Sequence, residues 1–302
     1  MSEAPFRESG APLPGEVPVL FVSGRTLPET WERAVLAVHE RGARVRTEYD
    51  RPQDQPSLDA TLMAEVREPL AEPRIHKNFP GGPQELEAYR QEVVLGIHDH
   101  WINPQEGKWT YTYHERLFAY RPTYDLKDMA ARTRMQPVDQ VGWMIEKLSQ
   151  VPFSRRAQAV TWIPTADPAT DDPPCLQRIW ARLLPDGKGG HRLNLNAHWR
   201  SRDLYKAWFM NVYALTDLQR LMAEELSRRL GVPVACGRYV DVSDSLHIYG
   251  SYRDQKFEAE IEKMKATPWT ERAWDSSVLQ PIFDEVKNKL ATDPDFYARG
   301  DR

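Results

Sequence analysis

Only two cysteines occur in 302 residues, and one of them, Cys175, sits in DDPPCLQ (171–177). Two prolines stiffen the approach to it, and two aspartates stand just before them. A rare thiol held this way suits packing, metal ligation, redox exchange or nucleophilic attack. Attack requires a lowered thiol pKa, which neighbouring cations supply. Cations are available: SRRAQ holds Arg155 and Arg156 side by side, and HWRSRD holds Arg200 followed by Ser201. A guanidinium's planar fork matches a phosphate dianion, and a serine hydroxyl completes the hydrogen bonding. In HIYGSY, His247 and Tyr249 alternate, so a strand would put both on one face, able to bond a sugar hydroxyl. Each motif also has a bland counterpart: a packed thiol, solvated arginines, a core histidine beside a half-buried tyrosine.

These residues need elements to hold them. VPVLFVSG (17–24) reads as a buried strand and LPETWERAVLAVHERG (27–42) as a helix, with Pro28 in its first turn and Gly42 at its end. DRPQDQPS (50–57) is a polar loop and DATLMAEV (59–66) a strand. Helices are expected over 84–97 and 137–151, and between them KWTYTYHERLFAY (108–120) opens with strand alternation. QAVTWIP (158–164), LQRIWARLL (176–184) and HRLNLNAHWRS (191–201) read as strands, the last two joined by the turn PDGKGG. Strand neighbours face opposite ways, so Arg155 and Arg156 can serve different partners. A long helix over 203–230 starts near Asp203 and stops at Gly231. Further strands follow over 233–252, and a polar helix over 277–290. The expected architecture is a single α+β domain over 18–302, preceded by a loose tail at 1–17.

Composition narrows the partners. Hydrophobic residues make up 41% of the chain and charged residues 28%, as in an ordinary globular protein. A net charge of −4 spreads no basic field, so a nucleic-acid polymer is not the expected partner. A small anion needs only a local arginine cluster. No apolar run of about 18 residues and no charged-then-apolar leader is present, which points away from membrane and export. Two cysteines without a CxxC suit a reducing cytoplasm.

Taken in order, the motifs Arg-Arg, Pro-Cys, Arg-Ser-x-Asp, Asn and His-x-Tyr resemble one family, that of thymidylate synthase and its nucleotide hydroxymethylase relatives. YTYHERL, RRAQAVTW, PPCLQ, WRSRDLYKAWFMNVYAL and HIYG carry the resemblance, over roughly residues 85–252. PPCL and YTYHERL look most like the short archaeal-type synthases. They are also similar to the hydroxymethylases of phage and of nucleoside-antibiotic pathways, cytidylate (CMP) hydroxymethylases among them. The resemblance implies the family's fold, a mixed β-sheet covered by helices that dimerises through the sheet.

It also implies roles. Cys175 would add to C6 of a pyrimidine nucleoside monophosphate, making C5 nucleophilic toward the methylene group of the cosubstrate 5,10-methylenetetrahydrofolate; no metal takes part. Arg200 and Ser201 match the phosphate-binding pair, and Arg200 would lower the pKa of Cys175. Arg155 and Arg156 match arginines donated across a homodimer interface, which gives two shared active sites. Asp203 matches the pterin-binding aspartate, Asn211 the residue that reads the pyrimidine edge, and His247 with Tyr249 the ribose 3′-hydroxyl pair. Tyr113 falls at the tyrosine that aids proton transfer at C5. Glu92 aligns as the carboxylate that organises water, although Glu85 and Glu87 share its helix. Arg51 in YDRPQ matches a loop arginine on the phosphate.

The chain departs from the long-form synthases at Leu176, Trp199 and Ser245, where those enzymes usually carry histidine, glutamine and aspartate. Its last residues, DPDFYARGDR, lack an aliphatic lid, so water reaching the C5 adduct is expected and hydroxymethylation is favoured over reductive methylation. An asparagine at 211 suits uracil directly and cytosine after rearrangement. CMP or dCMP is the preferred substrate, and methylation of dUMP or UMP is the alternative. Three rivals lie outside this reading: a thiol hydrolase using His191, His198 or His247; a metal site at His98, Asp99 and His100; and a non-catalytic nucleotide binder.

Overall fold

A computed structural model describes residues 15–296. The expected tail therefore lies outside the described residues up to position 14, as does the terminal stretch 297–302. Its centre is a mixed sheet in the order β1 (Val19–Gly24), β3 (Ser57–Val66), β9 (Val234–Ile248), β7 (His191–Trp199), β6 (Leu176–Pro185), β5 (Gln158–Val160). Short β2 (Ala43–Val45) adds to β3, and β8 (Arg202–Asp203) runs parallel to the end of β9. A separate pair joins β4 (Ile75–His76) to β10 (Ala273–Trp274). The α+β, single-domain expectation with a mixed sheet and flanking helices is met.

One face of the sheet meets α1 (Leu27–Arg41) and α6 (Ala207–Leu230). Trp31, Ala34, Val35 and Val38 of α1 are fully buried, and the Trp31 indole donates to the Leu204 carbonyl at 3.1 Å. Burying each such large apolar side chain contributes about 1.5–3 kcal/mol. Around this layer lie α2 (Pro83–Leu95), α3 (Tyr113–Phe118), α4 (Met129–Arg134), α5 (Gln140–Gln150), α7 (Gln255–Ala266), α8 (Trp269–Arg272) and α9 (Gln280–Thr292). β1 is not the buried strand expected from its apolar run. It is an edge strand whose Val19 and Phe21 face outward, 65% and 63% exposed, while Leu20 and Val22 face the core.

Three other expectations need correction. The tyrosine-rich stretch at 108–120 forms no strand over 113–118: Thr112 accepts the Glu115 amide hydrogen at 2.9 Å and starts α3, so the T-x-x-E cap outweighs the alternation. The long helix begins at Ala207 and not at 203, because the Asp203 carboxylate accepts the amide hydrogens of Tyr205 and Lys206 and turns the chain first. The segment 233–252 holds one 15-residue strand, β9, with Tyr249 just beyond its end. Helix α7, capped by Asp254 on the Phe257 amide, is an element the apolar pattern did not suggest.

Candidate active site

Cys175 ends the loop that enters β6, half-buried among apolar neighbours. The loop is fixed from two sides. Arg200, just past β7, donates from Nε to the Pro174 carbonyl at 3.1 Å and from Nη2 to the Pro173 carbonyl at 2.5 Å. Its own amide hydrogen goes to the Cys175 carbonyl at 2.9 Å. A prolyl residue has a carbonyl but no amide hydrogen, so the two prolines present acceptors only, and the guanidinium fork takes both. From the other side, Arg116 on α3 forms a fully buried bidentate pair with Asp167, at 2.7 and 2.9 Å, upstream of the same loop.

A cavity of about 390 Å³ opens in front of the sulfur, a volume in the range that holds small ligands. Cys175, Asn211, Asp203, Tyr113 and Tyr249 all line it. Seven expected residues do not line it: Arg51, Glu92, Arg155, Arg156, Arg200, Ser201 and His247. Arg155 and Arg156 sit in an exposed loop before β5 and do not reach this cavity within the chain; being outside a strand, they are not sorted to opposite faces. Arg51 is exposed and spent on Asp54 at 3.2 Å, although its loop comes close, with Tyr49 edge-on to Tyr249 at 6.2 Å. Ser201 is half-buried in the turn between β7 and β8. Arg200 flanks the site as the brace described above, leaving Nη1 without a partner among the described residues.

Electrostatics modify one expectation. Arg200 does pull the Cys175 pKa down, and so does Arg202. Burial is the larger influence, however, and with Asp172 it leaves the thiol raised in the ligand-free protein. Burial also raises Tyr113, whose hydroxyl accepts the Leu176 amide hydrogen at 3.3 Å. Tyr249 is pushed up to about 12, again mainly by burial. Asp203 is raised by desolvation, opposed by His247, while its carboxylate also accepts from the Tyr252 hydroxyl at 3.1 Å.

His247 and Tyr249 do meet, ring centroids 4.5 Å apart, though only His247 belongs to the strand. His247 is buried, which lowers its pKa against the opposing pull of Asp203, and its Nε2 has no partner among the described residues. Tyr249 is placed by Gly250: a Cβ there would lie 1.7 Å from the Gln55 carbonyl oxygen, so only glycine lets the two loops touch.

Glu92 faces a second cavity of about 540 Å³, which shares Tyr111, Tyr113 and Asp172 with the first. Trp109 and Tyr111 give it flat aromatic walls that suit a heteroaromatic cosubstrate. Two residues that line the Cys175 cavity were missed from sequence. Tyr89 lies one helical turn before Glu92 and accepts from Asn211 Nδ2 at 2.5 Å. Arg202 is buried against Asp241 and Ser243, its guanidinium 4.2 Å from the Trp199 ring. Spacing of Tyr89 and Glu92 was the available signal for the first; nothing local marked Arg202. In the HDH segment, His98 bonds Glu92, His100 bonds Asp295 and Asp99 bonds His114, so the three diverge. No group of three or more potential ligands converges on a metal position among the described residues. None of the described helices is long and apolar enough to cross a membrane.

Comparison with known proteins agrees with this geometry. A family profile described as thymidylate synthase matches residues 84–283. Three archaeal relatives carry the description "Putative thymidylate synthase". That of Methanosarcina acetivorans is 30% identical over 226 residues, 74% of this chain and 83% of the relative. That of Methanopyrus kandleri is 31% identical over 205 residues, 68% and 84% respectively. That of Methanosarcina barkeri is 29% identical over 229 residues, 76% and 89%. The family transfers a one-carbon unit and binds a pyrimidine nucleotide with methylenetetrahydrofolate. With two thirds of its length matched by the family profile and a cysteine, an asparagine and a tyrosine around one cavity, the chain belongs to the thymidylate synthase family.

Proposed function

We propose that the protein is a folate-dependent C5-hydroxymethylase of pyrimidine nucleoside 5′-monophosphates, acting on CMP or dCMP. The observation that carries this reading is the Asn211 amide at the wall of the Cys175 cavity. One of its two amide hydrogens goes to the Tyr89 hydroxyl, and the carbonyl oxygen remains an acceptor for a base. An acceptor there suits the exocyclic amino group of cytosine.

Cys175 adds to C6, because C5 of a pyrimidine is too weak a nucleophile until C6 carries a thioether. Arg200 and Ser201 take the phosphate, His247 and Tyr249 the ribose, and Tyr113 the proton at C5. Methylenetetrahydrofolate supplies the one-carbon unit, and Asp203 with Trp109 and Tyr111 are the residues that would hold it. Glu92, Thr110, Asp171 and Asp172 make the adjoining cavity polar, which supports access of water to the C5 adduct and hence a hydroxymethyl product.

Arg155 and Arg156 are assigned to the other site of a homodimer, packed through the outward sheet face that carries Val19, Phe21 and Met63. Two free thiols suit a cytoplasmic protein. Reductive methylation of dUMP or UMP is the second reading, favoured by the description of the archaeal relatives.

The test is incubation with methylenetetrahydrofolate and each of CMP, dCMP, UMP and dUMP, followed by mass spectrometry. A gain of CH2O on a cytosine nucleotide is expected. A gain of CH2 establishes the second reading, and activity that survives Cys175→Ala overturns both.

A further inference from the structure

Helix α2 ends at Leu95, and a tight turn at Gly96 (φ +66°) brings the chain back so that His98 lies against its last turn. His98 is 4% exposed and stacks flat on Trp101, 3.7 Å between ring centroids at 8°, with Trp109 edge-on at 6.3 Å. Both ring nitrogens are engaged. Nδ1 lies 2.8 Å from Glu92 Oε2, and Nε2 lies 3.2 Å from the Pro294 carbonyl oxygen.

The protons can be counted from these partners. A carbonyl oxygen only accepts, so Nε2 carries a hydrogen. Nδ1 then either accepts from a protonated Glu92 or donates to an ionised one. In both forms a single proton lies between Nδ1 and Oε2. Removing it would set two bare acceptors 2.8 Å apart in a site screened by two tryptophan rings.

We infer that His98 is a positioning residue for Glu92: one proton lies between Nδ1 and Oε2, and the Pro294 carbonyl fixes the tautomer. Oε2 is thereby committed to the imidazole, and Oε1 is the carboxyl oxygen left for the cavity that Glu92 lines. The role rests on the reading of Glu92 as the carboxylate that organises water beside the nucleotide.

His100, Asp99 and Asp295 beside the pair have their own partners, while Lys108, Lys127, Asp171 and Asp172 line the cavity that Glu92 faces. His100 and the Trp101 indole both bond Asp295, at 2.8 and 2.5 Å, and Asp99 bonds His114 at 2.7 Å. Tyr89 stands on the same helical face as Glu92. Pro294 and Asp295 lie beyond residues 84–283, so the clasp uses chain outside the family match. Holding a carboxylate through an imidazole whose far nitrogen is fixed is the arrangement that sets both ring orientation and proton position.

Nuclear magnetic resonance of the full-length protein labelled with nitrogen-15 histidine tests this without ligand. His98 signals are assigned by their loss in His98→Gln and in His98→Phe, so one folded variant suffices. Nε2 is expected to be protonated, and Nδ1 to show the shift of a nitrogen in a strong hydrogen bond, which Glu92→Gln is expected to move. A bare Nε2, or an Nδ1 signal that Glu92→Gln leaves unmoved, overturns the proposal.

With C5-tritiated CMP and dCMP as probes, His98→Gln is expected to slow tritium release about tenfold or more and to move its pH profile, with KM unchanged. An unmoved pH profile overturns the positioning role. Absence of tritium release from wild type counts against the function proposed above, whereas the resonance result judges the shared proton by itself.

Discussion

Arg202 and Asp241 form a buried ion pair beneath the floor of the Cys175 cavity, with the Trp199 ring stacked on the guanidinium. Asp241 also accepts from the Trp208 indole at 3.3 Å and the Tyr239 hydroxyl at 3.0 Å, so its charge is shared among several donors. Arg202 is the partner that lines the cavity.

Arg202→Met should therefore do two things. It strands the Asp241 charge, at a cost of about 3–5 kcal/mol measured by urea unfolding. It also removes one of the two cations that favour the Cys175 thiolate, so alkylation should need a higher pH. Asp241→Asn should shift alkylation the opposite way.

The thiol itself is held above its ordinary pKa by burial. Iodoacetamide should modify Cys175 slowly at neutral pH in the ligand-free protein and faster as pH rises, because only the thiolate reacts. Arg200→Ala removes one of the cations that favour the thiolate, so the pH profile of modification should move to higher pH. Protection by CMP is expected in the wild type, followed by peptide mapping.

Base choice should depend on Asn211 and Tyr89. Asn211→Asp keeps an acceptor for the amino group of cytosine but clashes with the O4 carbonyl of uracil. The ratio of cytosine to uracil turnover should rise about tenfold or more, equivalent to ~1.4 kcal/mol. Tyr89→Phe releases the amide nitrogen and should lower the same ratio. Competition assays with CMP and UMP read both.

The Arg116–Asp167 pair ties the helix bearing Tyr113 to the loop bearing Cys175. Asp167→Asn should cost about 3–5 kcal/mol of stability by removing the bidentate partner of a buried guanidinium, whose remaining carboxylate contact is the longer one to Glu115 at 3.6 Å. It should also reduce kcat more than it raises KM, because Tyr113 and Cys175 lose their common support.

Complementation checks the homodimer. Arg155→Ala or Arg156→Ala protein mixed with Cys175→Ala protein should regain activity through hybrid dimers. Mixtures no more active than their components would count against a shared site.

Much of the site was legible along the chain because its chemistry is packed into short motifs. DDPPCLQ, WRSRD and HIYG each combine a polar or nucleophilic group with residues that fix the backbone beside it, and most strands were readable from alternation, whereas the mixed sheet was implied only by the family resemblance. Local pattern misled where two signals overlapped. TYTYHE reads as a strand by alternation and as a helix start by its cap, and the cap won because it satisfies an amide that would otherwise lack a partner.

The order of residues by itself brought out a candidate nucleophile, the arginines at hand and the family that the chain resembles. Only the tertiary structure decided how those groups are poised. Burial overrides Arg200 in setting the thiol pKa, since desolvation depends on every element around the sulfur. Tyr89, 122 positions from Asn211, turns its amide, and Pro294, 196 positions from His98, fixes an imidazole. Contacts across such separations leave no spacing for a motif to record, because folding alone brings their partners together.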